Sequence, residues 1–378
     1  MPVRQITMIQ FRNYTQGTFE FNPRMNILYG PNGSGKTTVL EAIHCLAVAQ
    51  SFKTHFDKHL VQHETDFYQL KGNFAINKEK TDTIQLNYVP QQGKKLFINS
   101  AEQDKLSRVV GRYPVVTLTP EDSDITFGPP AVRRKYVSKM MSQASRGHME
   151  QLIQLQKVLK QRNAILQEAA DSPNQQVNET LISVYDDQLI EVAAGIEQER
   201  QQFFEQFKTL FHDVYGKLNG SSREVRIRFS PSVGYESELQ FEREFRESLA
   251  NRRNQELGFR RTMVGPQSDI IDLYLDGNSL RDYGSQGEHK LILVALKLAE
   301  GRYIKSGKSE EPIYLFDDLF AELDVERSNK ILNALDDRGQ ILITSTDLSD
   351  VRQHGIDISD RDIKVFDMQE YQENGAAA

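Results

Sequence analysis

Residues Gly30-Pro31-Asn32-Gly33-Ser34-Gly35-Lys36-Thr37-Thr38 fit the pattern G-x-x-x-x-G-K-[ST] of a phosphate-binding loop. Glycines at this spacing let successive backbone N–H groups point at an anion, and a following helix adds its positive N-terminal end. Lys36 is placed to reach the β- and γ-phosphates of a nucleotide, and the Thr37 hydroxyl to bind Mg²⁺. The stretch therefore predicts a nucleotide-binding site that uses all of residues 30–38, with Lys36 as a catalytic group.

The flanking residues provide the context that this motif requires. Met25-Asn26-Ile27-Leu28-Tyr29 is typical of a buried strand that leads into the loop. Downstream, apolar residues recur at the spacing of one helix face: Val39, Ala42, Ile43, Leu46 and Ala47. The alternative is a chance glycine-rich turn, and the order strand, loop, helix argues against it.

Composition restricts the class of protein. The chain has 378 residues, of which 26% are charged and 38% hydrophobic, as in a globular protein. No apolar run reaches the 18 or so residues of a membrane helix, and Cys45 is the only cysteine, so no intrachain disulfide is possible. We expect a cytoplasmic protein without a membrane span. The net charge of −7 argues only weakly against nucleic-acid binding, because the local distribution of charge matters more.

The periodicity of apolar residues divides the chain into three parts. Within residues 1–127, apolar and polar residues alternate in two stretches, which predicts a β-meander over residues 3–29 and an antiparallel sheet over residues 68–98. After Phe127-Gly128-Pro129-Pro130 the period becomes helical, so residues 128–222 are expected to form a helical lid domain. Residues 223–378 are expected to complete the nucleotide-binding lobe.

Within these parts, several boundaries can be predicted from breakers and turn residues. Asp171-Ser172-Pro173-Asn174 should separate two long helices of the lid. A charged helix is expected around Phe241, Phe245 and Leu249. Asp276-Gly277 is a hairpin signal that follows a strand with alternating apolar residues.

Two acids follow the apolar stretch Pro312 to Phe316. A carboxylate at the end of a strand beside the phosphate loop would anchor Mg²⁺, and we assign this role to Asp317. Asp318 is then placed to orient or deprotonate the attacking water. Strand ends often carry aspartate, so these acids alone are weak evidence, but Ala321-Glu322-Leu323-Asp324 follows them.

A second candidate anion site precedes the helix predicted over residues 291–300. In Tyr283-Gly284-Ser285-Gln286-Gly287-Glu288-His289-Lys290, a hydroxyl and glycines lie at a helix N-terminus. Ser285 and Glu288 also have the spacing of a capping box, which by itself is the better interpretation. The order of the phosphate loop, this motif, the two acids and residues 321–324 favours nucleotide contact by Ser285, Gly287 and Glu288.

That order resembles the ABC-type ATPases, with residues 285–288 in the place of the signature sequence and 321–324 in the place of the D-loop. The whole chain resembles the SMC-like ATPases of bacterial recombinational repair. The stretches that carry the resemblance span nearly the full length: Phe11-Arg12-Asn13-Tyr14, Gly33 to Thr37, Thr119-Pro120-Glu121, Leu159-Lys160-Gln161-Arg162-Asn163-Ala164, Tyr283 to Glu288 and Leu315-Phe316-Asp317-Asp318. The resemblance implies an α/β fold: an ABC-type P-loop ATPase head with an antiparallel β subdomain and an inserted helical lid domain.

The resemblance also implies a function and partners. ATP and Mg²⁺ would be the cofactors of a weak, DNA-stimulated ATPase that acts as a switch. Two protomers would form an ATP-dependent homodimer, in which each Ser285 closes on the γ-phosphate of the other. The dimer would recognise single- and double-stranded DNA at gaps and assist the loading of RecA together with RecO and RecR.

The chain departs from the ABC pattern at a few positions. Val116 stands where a glutamine is expected to contact Mg²⁺, and Ser345 or Thr346 replaces the switch histidine of transporters. Lys53 lies where SMC-like proteins often have arginine. Two other functions remain as alternatives: the ATPase subunit of a membrane transporter, and a small-molecule kinase. About 250 residues separate Lys36 from Ser285, which is far more than in transporter subunits, and a kinase leaves the Ser285 motif without a role.

Residues 129–170 contain eight basic residues and two acids, a local excess of positive charge. A row of cations can follow a phosphate backbone by releasing its counterions. We therefore predict that five of these residues contact DNA: Arg133, Arg134, Lys139, Lys160 and Arg162. The alternatives are a solvated helix face, or a role in supporting the nucleotide lobe or the dimer.

Overall fold

The structure of the protein is a computed structural model. It describes residues 2–77, 79–172, 174, 177–220, 223–308, 310–321, 324–335 and 339–375. The chain divides into two compact units. The first contains residues 1–123, 213–221 and 285–378, and the second contains residues 124–212 and 222–284.

The described strands are β1 (Val3–Phe11), β2 (Tyr14–Glu20), β3 (Met25–Tyr29), β4 (Tyr68–Ala75), β5 (Thr81–Val89), β6 (Gly93–Ile98), β7 (Ala101–Glu102), β8 (Val115–Leu118), β9 (Val225–Ser230), β10 (Ile270–Leu275), β11 (Asn278–Ser279), β12 (Ile313–Phe316), β13 (Ile341–Ser345) and β14 (Ile363–Asp367). The described α-helices are α1 (Lys36–Val48), α2 (Asp124–Phe127), α3 (Pro130–Ala144), α4 (Arg146–Asp171), α5 (Glu179–Asn219), α6 (Glu238–Phe259), α7 (Leu280–Tyr283), α8 (Gln286–Lys308), α9 (Val325–Leu335), α10 (Leu348–Gln353) and α11 (Met368–Gly375). None of these helices is both long enough and apolar enough to cross a bilayer.

The first unit contains two sheets of different character. The antiparallel sheet has the order β2-β1-β4-β5-β6-β7, and one face of its strands is buried while the other carries polar side chains. The parallel sheet has the order β14-β3-β13-β12-β8. Helix α1 packs against strands of both sheets, and its buried residues join them in one hydrophobic core. The carboxyl ends of the parallel strands β3, β12 and β13 therefore meet at the edge where α1 begins.

The predicted meander over residues 3–29 is wrong at its third strand. β1 and β2 form an antiparallel hairpin, but β3 pairs in parallel with β13 and β14. The residues of β3 explain the difference, since Asn26, Ile27 and Leu28 are buried in succession and do not alternate. Burial on both faces is typical of an inner strand of a parallel sheet.

The second unit combines the predicted long helices with a small sheet. The break predicted at residues 171–174 is confirmed, because α4 ends at Asp171 and α5 begins at Glu179; Pro173 lies outside the described residues. The charged helix is α6, and Asp276-Gly277 joins β10 to β11 as predicted. Buried residues of α4, α5 and α6 form one cluster that includes Leu155, Leu189 and Phe245.

This unit extends beyond the segment that the sequence assigns to the lid. Residues 222–284 belong to it, whereas the periodicity change at residue 222 placed them in the nucleotide-binding lobe. The cause is packing between distant segments, since α6 buries its apolar face against α4 and α5. Among the described strands, β9 and β10 pair only with strands of the same segment, in the order β11-β10-β9.

Candidate nucleotide-binding site

The predicted phosphate loop joins the end of β3 to the start of α1. Gly33 and Gly35 have φ values of +86° and +84°, a left-handed conformation that glycine adopts without strain. At Gly35 there is also no room for a side chain, because a Cβ atom would lie 2.6 Å from the Tyr14 hydroxyl. At Gly33 a Cβ atom would meet nothing within 4 Å. The loop is therefore supported on one side by β2 and open on the other.

A cleft of about 290 Å³ lies over this loop. The residues that line it come from six separate segments of the first unit: Asn13, Asn32, Gly33, Gly35, Lys36, Thr37, Thr38, Lys53, Pro120, Asp317, Asp318, Thr344 and Thr346. The structure thus brings together the loop and the two predicted acids, although about 280 positions separate them in the sequence. The remaining loop residues, Gly30, Pro31 and Ser34, do not line the cleft.

Lys36 is held over the loop by backbone carbonyl groups. Its ammonium group donates hydrogen bonds to the carbonyl oxygens of Gly30 and Pro31, at 2.7 and 2.9 Å. Burial lowers the pKa of Lys36, and the nearby carboxylates of Asp317 and Asp318 oppose that shift. An anion in the cleft would stabilise this partly desolvated cation.

Thr37 and Asp317 are in direct contact at the centre of the cleft. The Thr37 hydroxyl lies 2.9 Å from both carboxylate oxygens of Asp317. Thr344, on the strand between β3 and β12, donates a hydrogen bond of 2.8 Å to Asp317 Oδ1. The Asp318 N–H group donates in turn to the Thr344 hydroxyl at 2.9 Å. The carboxylate of Asp317 is thereby fixed in orientation by two hydroxyl groups.

Asp318, the next residue, differs from Asp317 in its backbone conformation and in the charges around its carboxylate. Its φ of +54° is unusual for a residue with a side chain, and it turns the carboxylate towards the cleft. Partial desolvation raises the pKa of Asp318, as does the adjacent Asp317 carboxylate, whereas Lys290 and Lys36 lower it. A carboxylate with a raised pKa is suited to accept a proton from water.

The residues present fit a nucleotide and Mg²⁺. Ser34 is 3% exposed, and its hydroxyl finds no hydrogen-bond partner among the described residues, so the hydroxyl is free to donate to an anion. Thr37 and Asp317 offer the hard oxygen atoms that Mg²⁺ prefers, and Mg²⁺ usually takes only one or two carboxylates together with phosphate oxygens. No group of three or more His, Cys, Asp or Glu side chains that could hold a metal ion occurs within the described ranges.

The Ser285 motif forms the capping box that its spacing predicts. The Ser285 hydroxyl and N–H groups each lie 2.8 Å from Glu288 Oε2, and the Glu288 N–H group lies 3.4 Å from the Ser285 hydroxyl. None of Ser285, Gly287 and Glu288 lines the cleft described above. Gly287 is closely covered, since a Cβ atom there would lie 2.9 Å from a guanidinium nitrogen of Arg327. Contact of this motif with a nucleotide remains a prediction.

Of the predicted D-loop, Glu322 and Leu323 lie outside the described residues. The described Asp324 accepts a hydrogen bond of 2.8 Å from the Arg327 N–H group and so caps α9. Among the positions that depart from the ABC pattern, Val116 is a fully buried residue of β8, whereas Thr346 and Lys53 line the cleft.

Asn13 and Pro120 lie in stretches that carry the family resemblance, but the sequence pattern assigns no role in the cleft to them or to Thr344. Asn13 lies in the turn between β1 and β2 and accepts a hydrogen bond of 3.0 Å from the Thr38 hydroxyl. Pro120 and Thr344 are brought to the cleft only by the order of strands in the parallel sheet. The position of Asn13 beside the phosphate loop depends on how β1 and β2 pair and pack, which the local sequence does not show.

The structure contradicts the prediction that Arg162 contacts DNA. Arg162 is fully buried, and each nitrogen of its guanidinium group donates a hydrogen bond inside the second unit. It donates to Asp186 at 2.6 Å, to Glu256 at 2.7 Å and to the Thr262 hydroxyl at 2.9 Å. These contacts join α4, α5 and α6, so Arg162 is a structural residue.

Arg133 and Arg134 are also engaged within the second unit. Arg133 is 6% exposed, and its guanidinium donates to the carbonyl oxygens of Gly128 (2.8 Å) and Ile271 and to the Asp272 carboxylate (3.0 Å). Arg134 is half-buried and donates to the carbonyl oxygen of Asp269 at 2.7 Å. The prediction that Arg133 contacts DNA is therefore wrong. For Arg134 the prediction stays open, but one of its guanidinium nitrogens already donates to Asp269.

Lys139 and Lys160 are exposed and stay candidates for DNA contact. Lys135 lies four residues before Lys139 on α3, and Lys157 lies three residues before Lys160 on α4; both are exposed. Each pair therefore lies along one face of its helix.

Comparisons with known proteins agree with the architecture of the cleft. The RecF/RecN/SMC N terminal domain family matches residues 2–371. The DNA replication and repair protein RecF of Salinibacter ruber is 35% identical over 355 residues, which cover 92% of this chain and 85% of that protein. The chain belongs to the RecF family. The RecF of Chlorobaculum tepidum is similarly related, with 32% identity over 92% of this chain and 94% of that protein.

Solved structures confirm the predicted fold class. The structure described as the recombination mediator protein RecF-ATP in the RecFOR pathway matches with a TM-score of 0.85 and 27% identity, over 92% of this chain and 93% of that chain. An Smc head bound to the C-terminal winged-helix domain of ScpA matches with a TM-score of 0.52 and 14% identity, over 93% of this chain and 92% of that one. The second likeness shows the fold alone, which is that of an SMC-type ATPase head. Membership of the RecF family makes the transporter and kinase alternatives untenable.

Proposed function

We propose that this protein is an ATP-gated DNA-binding protein of recombinational repair. The observation that carries the proposal is the contact of Thr37 with Asp317 in a cleft that also contains Lys36 and Asp318. The RecF structure with ATP supports the identity of the nucleotide, because it is similar over 92% of this chain.

Each cleft residue has a defined task in this proposal. The N–H groups of residues 33–37 and the Lys36 ammonium bind the phosphates, and the Ser34 hydroxyl gains the partner that it lacks within the described part of the protein. Thr37 and Asp317 hold Mg²⁺, which supplies neutralisation of the phosphate charge. Asp318 orients the attacking water and accepts its proton.

ATP also assembles two copies of the chain. The Ser285 motif presents a helix N-terminus, α8, but does not line the cleft of its own chain. Two chains related by a twofold axis would let each motif contact the γ-phosphate held by the other, with two nucleotides buried between them. Hydrolysis removes that γ-phosphate and releases the dimer, so ATP acts as a switch.

DNA contact is assigned to the exposed lysines of the second unit. Lys139 and Lys160, with Lys135 and Lys157 beside them, present cations on the surfaces of α3 and α4. Such groups bind phosphates without reading the sequence. This suits a protein that recognises the junction of single- and double-stranded DNA at a gap. The naming of the RecFOR pathway for a similar structure supports RecO and RecR as partners in the loading of RecA.

The test is binding of the purified protein to gapped duplex DNA with ATP and Mg²⁺, with ADP and Mg²⁺, and without nucleotide. We expect ATP to tighten binding by about tenfold or more, in the range of ordinary coupling between two sites. Lys36→Arg serves as the matched variant, because a planar guanidinium does not replace a compact ammonium at the phosphates. Equal affinity in all three conditions would exclude gating by ATP.

A further inference from the structure

A buried carboxylate outside the cleft forms hydrogen bonds with residues that adjoin two different parts of the cleft lining. Glu41 lies on α1, five residues after Lys36, and is 1% exposed. Arg12 grips it with two hydrogen bonds, from Nε at 2.9 Å and from Nη2 at 2.7 Å. The Ser51 hydroxyl donates a third hydrogen bond to Glu41. A buried carboxylate of this kind requires such partners, and it fixes them in return.

Each partner of Glu41 adjoins a residue of the cleft. Arg12 precedes Asn13, which lines the cleft and binds the Thr38 hydroxyl. The Ser51 hydroxyl accepts hydrogen bonds from the N–H groups of Lys53 (2.9 Å) and Thr54 (3.1 Å), and Lys53 also lines the cleft. The Glu41 carboxylate thus helps to position two residues of the cleft lining, Asn13 and Lys53.

Arg12 also binds the far end of the segment that contains Lys53. Arg12 Nη1 donates to the carbonyl oxygen of His59 at 2.9 Å, and the Arg12 N–H group donates to that of Leu60 at 2.8 Å. Residues 51–60 are therefore fixed at one end by Glu41 and at the other by Arg12. Arg12 has a φ of +56°, an unfavourable conformation for an arginine that these contacts maintain.

We propose that Glu41 is a positioning residue that sets the affinity of the cleft for the nucleoside triphosphate by holding Asn13 and Lys53 in place. This inference rests on the proposed function, since it assumes that the cleft binds ATP. Glu41 acts through Arg12 and Ser51 and does not touch the reacting atoms. Glu41 therefore affects the binding of ATP, whereas Asp318 acts in the hydrolysis step.

The experiment compares the KM for ATP and kcat of the full-length protein with those of Glu41→Gln, a substitution that keeps the shape of the side chain but faces Arg12 with an amide group. We expect KM to rise about tenfold, which corresponds to about 1.4 kcal/mol of binding free energy, while kcat changes less than about twofold. Arg12→Ala should raise KM to a similar extent. The double variant should be no worse than either single variant, because the two residues act as one unit. Glu41→Asp should recover part of the affinity.

Two controls separate positioning from a general loss of stability. Leu46→Ala removes a fully buried side chain from the same helix without touching Arg12 or Ser51; at a comparable fall in melting temperature it should leave KM unchanged. Ser51→Ala removes one hydrogen bond and tests the proposal if Glu41→Gln does not fold. An unchanged KM in folded Glu41→Gln or Ser51→Ala, or an equal rise in Leu46→Ala, would overturn the proposal. If wild type and Lys36→Arg bind ATP equally poorly, it is the proposed function that fails.

Discussion

The Thr37 hydroxyl lies 2.9 Å from both carboxylate oxygens of Asp317, although the two residues are 280 positions apart in the chain. The contact arises because β3 and β12 run parallel in one sheet and both end at the edge where α1 begins. A hydroxyl and a carboxylate at this distance form a pair of oxygen ligands for one small cation. The ATPase activity proposed for this protein depends on this pair.

Asp317→Asn should therefore abolish the response of hydrolysis to Mg²⁺. The substitution removes the charge that attracts the cation but keeps a side chain that can accept from Thr37 and Thr344. A bound metal is worth several kcal/mol to the transition state, so we expect the rate to fall by a factor on the order of 10² to 10³. The measurement is ATPase rate against Mg²⁺ concentration, with the exposed Asp66→Asn as control. A normal Mg²⁺ response in Asp317→Asn would exclude this metal site.

Asp318 should impose an acid limit on a slow hydrolysis. Only its ionised form accepts a proton, and its pKa is raised, so the active form is lost as the pH falls through that raised pKa. The activity should therefore decline at a higher pH than the ordinary aspartate pKa of about 3.9 would give. ABC-type ATPases, which this sequence resembles, mostly have glutamate at the position of Asp318. The shorter side chain of aspartate withdraws the carboxylate by about 1.5 Å, and such misplacement can cost on the order of a hundredfold in rate.

The measurement is kcat against pH for wild type and Asp318→Asn. We expect wild-type turnover below the enzyme median of about 10 per second, and neither hydrolysis above background nor an acid limb in the variant. Fast turnover without DNA, or the same acid limb in Asp318→Asn, would contradict the assigned role.

Arg162 should prove structural and not a DNA contact. Arg162→Met removes the guanidinium that binds the buried carboxylates of Asp186 and Glu256, and Arg253 then pairs with Asp186 alone. Loss of one partner of a buried ion pair typically costs about 3–5 kcal/mol. Lys160→Met, two residues away but exposed, should change stability by no more than about 0.5 kcal/mol. Chemical denaturation of both variants measures the difference. Equal stability of Arg162→Met and wild type would show that the buried network contributes little.

Lys139 and Lys160 should contribute to DNA binding by neutralising phosphates. Lys139→Ala plus Lys160→Ala is expected to weaken binding across DNA sequences and to reduce the salt dependence of log K by about 0.9 for each phosphate that is no longer neutralised. The measurement is affinity for gapped DNA over a series of salt concentrations. Lys80→Ala, an exposed lysine of the first unit, is the matched control. An unchanged affinity and salt slope would remove the second unit's lysines from the interface.

These residues show which parts of the molecule could be predicted from the sequence. The phosphate loop is local, so its glycines, Lys36 and Thr37 are identifiable from spacing alone. The arginines of residues 129–170 are misassigned by a count of charges, because such a count ignores direction. On α4, Arg162 continues the buried stripe of Leu155, Val158, Ile165 and Ala169 at helical spacing, and that signal could have been used.

Other features depend on contacts between distant segments. The position of Thr344 beside Asp317 follows from the strand order, which no local pattern contains. Glu41 is a charged residue on a helix that is buried along most of its length, and its partners Arg12 and Ser51 could not be inferred from that position. At Ser285 the sequence is ambiguous for a physical reason, since a capping box and an anion site need the same hydroxyl at the same helix end.

Sedimentation of wild type and Ser285→Arg, each with ATP plus Mg²⁺ and with ADP plus Mg²⁺, is the most direct test of ATP-driven assembly. A residue that only caps α8 would cost about 1 kcal/mol of stability when it is replaced and would leave assembly unchanged. We predict a dimer for wild type with ATP only, and a folded, ATP-binding monomer for Ser285→Arg under both conditions. A monomeric wild type with ATP, or a dimeric Ser285→Arg, would show that ATP does not join two chains through Ser285.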